Sequence, residues 1–328
     1  MNYEELDACV RGLRNEMIDF TTELVGIASE NPPGSKYVEC VRAIEKRLRA
    51  VGLPCEVVKY RPRRGMRDDS GAGVVLSSVG TGKRTLYFSG HYDVVPVTTP
   101  GQCTPVLRGK MLFGRGSSDM KSGLAAMLYA AVALHHLRVP LDGRVGLVFV
   151  PDEETGGQRG SGTLIGGRVE AGSNFNVVPG RCVFTVDRRM NPEEDYDAER
   201  RALFAVFDEA RRNGVKLAVE ELQEGRPSGT SEATPLGRAL SRHVRGVTGK
   251  APKFEMCPGL LEIRFYAEQG VPAYAYGPGL LPISHGPKEF VDTDRIVDCA
   301  AIYARVAVEV LNQPALTPAR ELPPRVRC

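Results

Sequence analysis

Met120-Lys121-Ser122-Gly123-Leu124-Ala125-Ala126-Met127-Leu128-Tyr129-Ala130-Ala131-Val132-Ala133-Leu134-His135-His136 reads as one helix, and Val145-Gly146-Leu147-Val148-Phe149-Val150 follows it as a short apolar strand. From Leu124 to Leu134 the helix is apolar on every side, so it belongs inside a protein core. It is too short to span a bilayer. Upstream, Cys55 to Tyr60, Gly73 to Ser78 and Thr85 to Ser89 are further β-rich runs. Ahead of them, Tyr3 to Ala28 is expected as an amphipathic helix through Leu13, Met17, Phe20 and Leu24. Asn31-Pro32-Pro33-Gly34 ends it, and a second helix carries Val38, Val41, Ile44 and Leu48 before stopping at Gly52. Downstream, a helix is expected near Pro235 to Val247, a strand over Ala273 to Tyr276 and a last helix from Asp292 to Leu311. Helices alternating with apolar strands predict an α/β fold, a sheet layered between helices.

Between Ile165 and Gln223 the texture changes to polar strand, strand, helix, strand. That helix is expected to start with Asn191 as N-cap, Pro192 in the first turn and Glu193 and Glu194 at the positive end of the dipole. The segment reads as a small separate unit inserted in a larger one. The length, 328 residues, suits two domains or one core with an insertion.

Hydrophobic residues make up 42% of the chain and charged residues 25%, ordinary globular usage that excludes disorder, collagen and coiled coil. The 43 basic and 40 acidic residues leave a net charge of +3, with only the short cluster Arg61, Arg63, Arg64 and Arg67. Neither a nucleic-acid nor a membrane partner is expected. Met1 to Glu5 lacks the basic-then-apolar order of a signal peptide, so a cytoplasmic protein is expected. The eight cysteines are scattered singly, without a C-x-x-C pair, and read as reduced thiols.

Three polar segments stand beside strand ends, where open α/β sheets place their sites. They are His91-Tyr92-Asp93-Val94-Val95-Pro96, Gly114-Arg115-Gly116-Ser117-Ser118-Asp119-Met120-Lys121 and Pro151-Asp152-Glu153-Glu154-Thr155-Gly156-Gly157; a fourth is Ser284-His285-Gly286-Pro287-Lys288-Glu289. A His, an Asp, adjacent Glu residues and a distant His form a mixed N/O set suited to zinc or a similar divalent ion. Asp93, two residues after His91, can orient the imidazole. Asp119 opens a helix after a glycine-rich turn and can bridge two cations, while Glu153 and Glu154 point differently and can divide base and ligand roles. Each segment also has a plain structural reading: a core histidine, a helix cap, a solvated acidic face. Their joint occurrence in this order favours function.

The four segments resemble the signature of the dinuclear-zinc amidohydrolase and peptidase family that includes acetylornithine deacetylase, succinyl-diaminopimelate desuccinylase, aminoacylase and carboxypeptidase G. The resemblance extends to Asn176-Val177-Val178-Pro179, Asp187-Arg188-Arg189 and Gly277-Pro278-Gly279. It implies a mixed central sheet between helices, as in zinc exopeptidases, with an inserted ferredoxin-like α+β lid. Residues 1–164 and 225–328 would then form the catalytic domain, and 165–224 the remnant of the lid. By resemblance His91 binds one zinc, Asp119 bridges both, Glu154 and His285 hold the other, Glu153 is the general base and Asp93 orients His91. Arg189 matches the family's arginine for a substrate carboxylate, and the Gly277 to Gly279 loop lines that pocket. The implied substrate is an N-acyl amino acid or peptide, hydrolysed at an amide bond.

Two departures stand out. No acidic residue occurs from Thr155 to Val169, where the family's fifth ligand is expected, and Glu170 lies in a stretch resembling a later lid strand. No histidine occurs between His136 and His243, so the lid histidine that stabilises the oxyanion in the family has no counterpart. The first half of the lid is therefore expected to be missing. One Zn²⁺ (or Co²⁺ in its place) is expected to bind tightly at Asp119, Glu154 and His285, and a second weakly at His91 and Asp119. A monomer or an altered dimer is expected, because the absent half carries dimer contacts in the family. His135, His136 and His243, on predicted helices, are read as non-catalytic. A catalytically inactive metal-binding homologue, or a deletion form of an active enzyme, is the alternative.

Overall fold

The computed structural model describes residues 3–59, 73–155, 170–171, 182–183, 186, 188, 190, 193–221, 227–257 and 261–313, and all structural statements refer to these. Helices α1 (Tyr3–Gly12), α2 (Arg14–Val25) and α3 (Tyr37–Ala50) lead to strands β1 (Glu56–Lys59), β2 (Gly73–Gly80) and β3 (Thr85–His91). Two short strands, β4 (Val106–Arg108) and β5 (Met111–Phe113), precede α4 (Lys121–His136) and β6 (Arg144–Val150). Then come β7 (Glu170–Ala171), β8 (Cys182–Val183), α5 (Tyr196–Arg212), α6 (Pro235–Thr248), α7 (Ile263–Glu268), β9 (Phe290–Asp292) and α8 (Thr293–Asn312).

The main sheet has the order β1-β2-β6-β3. The first two pairings are antiparallel and β3 runs parallel to β6, so the expected α/β fold is present with a mixed sheet. The register aligns Val75 with Phe149, Val79 with Val145, and Phe88 with Leu147. Side chains of one parity share a face. That face buries Val75, Val79, Phe88, Val145, Leu147 and Phe149, whereas on the other face Val74, Leu76 and Val148 are half-buried and Tyr87 is exposed.

Helix α4 lies on the buried face. Every residue from Lys121 to Leu134 is buried, and α1, α2, α8 and strands β2, β3 and β6 pack around it. One contiguous core runs from Leu6 in α1 to Leu311 in α8, so both ends of the chain share it. Gly90, just before the end of β3, is required by this packing. A Cβ there would come within 2.5 Å of the Met120 side chain and 2.8 Å of Leu124. A second, smaller cluster joins α6 to α8 through Leu240, Val244, Ile302 and Val306.

Three expectations are corrected. The amino-terminal helix is divided at Leu13, whose carbonyl already accepts from Met17 at the start of α2. Helix α5 starts at Tyr196 with Asp195 as its N-cap, its carboxylate accepting the Ala198 N–H at 3.0 Å; the proposed cap Asn191 and Pro192 lie outside the described residues. Asp195 wins because its side chain reaches the third N–H ahead of it, the geometry a cap requires. Ala273 to Tyr276 forms no strand ladder: Tyr274 and Tyr276 pack on the cluster of Leu240, Val244, Ile302 and Val306, and Tyr276 meets Tyr303 edge-on. The three-stranded β4-β5-β9 sheet, absent from the sequence reading, is too short to show a period. No helix among the described residues is long and apolar enough to cross a membrane.

The burial of α4 sets an expected outcome. Leu128→Ala, at a fully buried position, should cost about 2–5 kcal/mol in urea unfolding. Val206→Ala, on α5 where the side chain is 61% exposed, should change stability by less than about 0.5 kcal/mol. Equal losses at both positions would contradict this core assignment.

Candidate metal centre

The parallel pairing of β3 with β6 brings His91 opposite Val150 at the same end of the sheet. The chain leaves β3 through Tyr92 and Asp93, and leaves β6 through Asp152 into a single 3-10 turn, Glu153–Thr155. Asp119 arrives at the same place because it stands just before Met120, the N-cap of α4. His285, in the left-handed region at φ +65°, follows a 3-10 turn over Leu281–Ile283. Four distant segments thus converge.

The Asp119 carboxylate sits between the two imidazoles. Its Oδ1 is 3.2 Å from His91 Nε2 and its Oδ2 is 3.4 Å from His285 Nε2. Glu154 lies on the His285 side, 3.3 Å from Nε2, and Glu153 on the His91 side, 3.8 Å from Nε2. The adjacent glutamates do point differently, as expected. Ligand atoms of Asp119, Glu154 and His285 all lie within 4.8 Å of one another, the one such group found among the described residues. His91 Nδ1 is 3.1 Å from the Asp93 carbonyl and 3.3 Å from its Oδ1. Nδ1 thus faces Asp93, and Nε2 is the nitrogen turned toward Asp119.

Asp93 is fully enclosed and is held by four donors. It faces His91, and it accepts from the Glu153 N–H at 3.2 Å, the Glu154 N–H at 3.1 Å and Asn31 Nδ2 at 2.9 Å. The sequence reading gave Asn31 only a helix-ending role. Its amide also faces Asp152 Oδ1 at 3.1 Å and Thr155 Oγ1 at 2.8 Å, tying the Glu153–Glu154 turn to the His91 strand. A polar residue beside two prolines was the only signal available, and it reads equally well as a turn.

Exposure rises across the centre, from 0% for the Asp93 side chain and 6% for His91 to 50% for His285. The site therefore opens to solvent on its His285 side. Burial pushes the Glu153 carboxyl up to about 7; nearby His91 opposes this, and Glu154, Asp119 and Glu262 reinforce it. Hydrogen bonds to Asp119 and Glu154 carry His285 up to about 10. Burial works against a charged His91, yet Glu153, Asp119 and Asp93 together raise it well above the usual histidine range. Asp119 is held well below the carboxylate range by both histidines despite its burial. Protons on two imidazoles thus balance a crowded set of carboxylates. A divalent cation supplies the same positive charge and displaces those protons on binding.

Two of the remaining expected residues are described. Gly279 packs so closely on the Asp119 segment that a Cβ would fall 2.1 Å from the Ser118 carbonyl oxygen, whereas Gly277 has only the Tyr303 hydroxyl within reach, at 4.0 Å. Arg189 lies outside the described residues. Its neighbour Arg188 is exposed and bonds Glu194 and Glu199. His243 is buried away from the centre, 2.9 Å from Glu309, and His135 and His136 end α4.

The sequence profile of Peptidase family M20/M25/M40 matches residues 87–309, more than half of the chain. The chain belongs to this family. Among its relatives, succinyl-diaminopimelate desuccinylase of Buchnera aphidicola subsp. Acyrthosiphon pisum (strain Tuc7) is 36% identical over 144 residues, 42% of this chain and 34% of that protein. Succinyl-diaminopimelate desuccinylase 2 of Ruegeria sp. (strain TM1040) is 41% identical over 155 residues, 45% of this chain and 36% of that protein. The alignments thus span little more than a third of these M20 relatives. Among solved structures, the M20 metallo-carboxypeptidase Sso-CP2 of Sulfolobus solfataricus has a TM-score of 0.71 at 13% identity, with 90% of this chain and 99% of that one covered. A Bacillus subtilis protein described as a dinuclear metal binding peptidase of the M20 family has a TM-score of 0.57 at 15% identity, covering 92% and 99%. These likenesses are of fold.

The Asn31 network makes a second outcome testable. Asn31→Ala removes a donor from a buried carboxylate, and stability is expected to fall by about 1–3 kcal/mol in urea unfolding. A neutral result would show that Asp93 is held by its other donors alone.

Proposed function

We propose that this M20 chain is a zinc-dependent hydrolase of amide bonds in N-acyl amino acids or peptides. The observation that carries this reading is the Asp119 carboxylate placed between His91 and His285, with Glu153 and Glu154 on opposite sides. The donor set suits a borderline divalent ion: imidazole nitrogen and carboxylate oxygen, with ligand atoms close enough to share one centre. Asp119, Glu154 and His285 would hold the tighter ion; His91 and Asp119 would offer a second position fewer protein ligands. When bound, the ion supplies a Lewis acid for the amide carbonyl and lowers the pKa of water.

The chain's own residues account for the rest. Asp93 keeps the Nδ1 proton on His91 and so directs its Nε2 lone pair inward. Glu153, buried and raised toward neutrality, takes a proton from the attacking water and returns it to the leaving nitrogen, the task for which a pKa near the working pH is best. The open His285 side admits the substrate. Arg189, with the Gly277 to Gly279 loop, is assigned to the substrate carboxylate on the strength of the sequence motif. Residues 165–224 are read as a lid remnant; α5, within it, buries none of its side chains among the described residues.

A panel of N-acetyl and N-succinyl amino acids and dipeptides, assayed with added Zn²⁺ or Co²⁺, tests this. Wild-type chain is expected to hydrolyse at least one of them, and Glu153→Ala to lower kcat by about 10²–10⁴-fold while retaining bound metal. His285→Ala is expected to lose the metal. Turnover that survives Glu153→Ala, or none from wild type on any substrate, would overturn the enzymatic reading.

A further inference from the structure

Two charged side chains lie buried beside the metal-binding group without belonging to it. Arg115 and Glu289 each have side chains only 1% exposed, and Nη1 of the arginine is 2.8 Å from Oε2 of the glutamate. Burying such a pair is costly unless its remaining donors and acceptors are used, and an apolar pair of the same volume often gives equal stability. Here Nη2 of the arginine and Oε1 of the glutamate are directed at two ligand segments, while the arginine Nε has no partner among the described residues. Glu289 Oε1 accepts the backbone N–H groups of Ser118 at 2.9 Å and Asp119 at 3.0 Å. Arg115 Nη2 donates to the His285 carbonyl at 3.2 Å.

The surrounding backbone makes the connection rigid. Strand β5 pairs with β9 through Phe113 and Phe290, and Glu289 immediately precedes the second strand. Its carbonyl accepts the Gly114 N–H at 3.1 Å. Gln102 braces both sides, accepting the Arg115 N–H on its carbonyl at 2.6 Å and donating from Nε2 to the Gly286 carbonyl at 3.2 Å. Asp119 and His285 are 166 positions apart in the chain (285 − 119).

We infer that Arg115 and Glu289 are positioning residues of the metal centre, holding the Asp119 and His285 segments at the separation that a shared ion requires. The ion pair extends the β5–β9 ladder to the two ligands. The inference rests on the proposed metal centre and concerns residues outside it. Groups that orient metal ligands from behind typically change metal affinity by 10–100-fold when altered.

The test uses the full chain and three variants: Glu289→Gln, which keeps the shape and weakens the pairing; Arg115→Lys, which keeps the charge and loses the two-pronged donor; and Asp7→Asn. Asp7 pairs with Arg305, far from the ligands in a contact between α1 and α8, and serves as the control for ordinary loss of stability. Zn²⁺ affinity is read by competition with a chromophoric chelator, ligand geometry by the visible bands of bound Co²⁺, and folding by thermal unfolding of the metal-free chains. Glu289→Gln and Arg115→Lys are expected to bind Zn²⁺ 10–100-fold more weakly and to shift the Co²⁺ bands, while Asp7→Asn lowers the melting temperature and leaves affinity within twofold. Should either site variant fail to fold, the other carries the comparison. Should both fail, a double variant Arg115→Met, Glu289→Met, which removes both charges together, supplies a folded chain with the clamp absent. Wild-type Zn²⁺ affinity and Co²⁺ bands in the folded variants would overturn the inference and leave the metal centre standing. Wild-type chain that binds neither ion would overturn the metal centre and this inference with it.

Discussion

Burial of α4 from Lys121 to Leu134 is the constraint from which the rest of the structure follows. A helix apolar on every face has to be surrounded, and the sheet, α1, α2 and α8 together surround it. Enclosure extends to Lys121, a charged residue at the first position of the helix. Its Nζ donates to the Leu24 carbonyl at 2.8 Å and, just beyond the end of α2, to the Ile27 carbonyl at 2.7 Å, each of which also accepts a backbone N–H. Burial drives this lysine's pKa down, and the carbonyls offset part of the cost of keeping a cation there. The N-terminal end of α4 is thereby fixed against α2, and Asp119 with it.

The centre itself is a problem in crowded charge. Asp93, Asp119, Glu153 and Glu154 approach two imidazoles in a space that is mostly shielded from water. Like charges at such distances are tolerated only when a counter-charge sits among them. The arrangement answers this in layers. Asp93 is stabilised in its charged form by His91, Asn31 and the backbone N–H groups of Glu153 and Glu154, and Asp119, Glu154 and His285 remain as the group that could hold a cation. Burial drives the Glu153 carboxyl toward neutrality, opposed by His91 and reinforced by the nearby Glu154, Asp119 and Glu262.

What could be read in the sequence divides along physical lines. The long helices were legible because their apolar spacing is a local property, and α4 through its unbroken apolar stretch above all. The site was legible because four short polar segments stand beside strand ends, and His91, Asp119, Glu154 and His285 do converge. Strands β4, β5 and β9, three residues each, have no readable period. The same holds for Arg115 and Glu289. Both stand in segments singled out from the sequence, yet a charged residue in a polar stretch looks solvated until the fold places its partner 174 residues away. Asn31 was hidden for a related reason: its acceptors come from two other segments, Asp93 after β3 and Asp152 with Thr155 after β6. Long-range polar contacts leave no local trace, and the start of α5 shows that even a local signal misleads when a better cap stands a few residues on.

The packing of α8 against α4 also orders events in time. Helix α4 ends at residue 136 and its cover, α8, ends at residue 312. At a synthesis rate of about 5–20 residues per second, roughly 10–35 s separate the emergence of the two. During that interval an apolar helix is made without one of its main neighbours, and such transient surface is what chaperones bind and what aggregates. His285 and the β9 strand are made in the same late stretch, just ahead of α8. The last segment of the candidate centre and the last cover of α4 are therefore completed almost together in the life of the nascent chain.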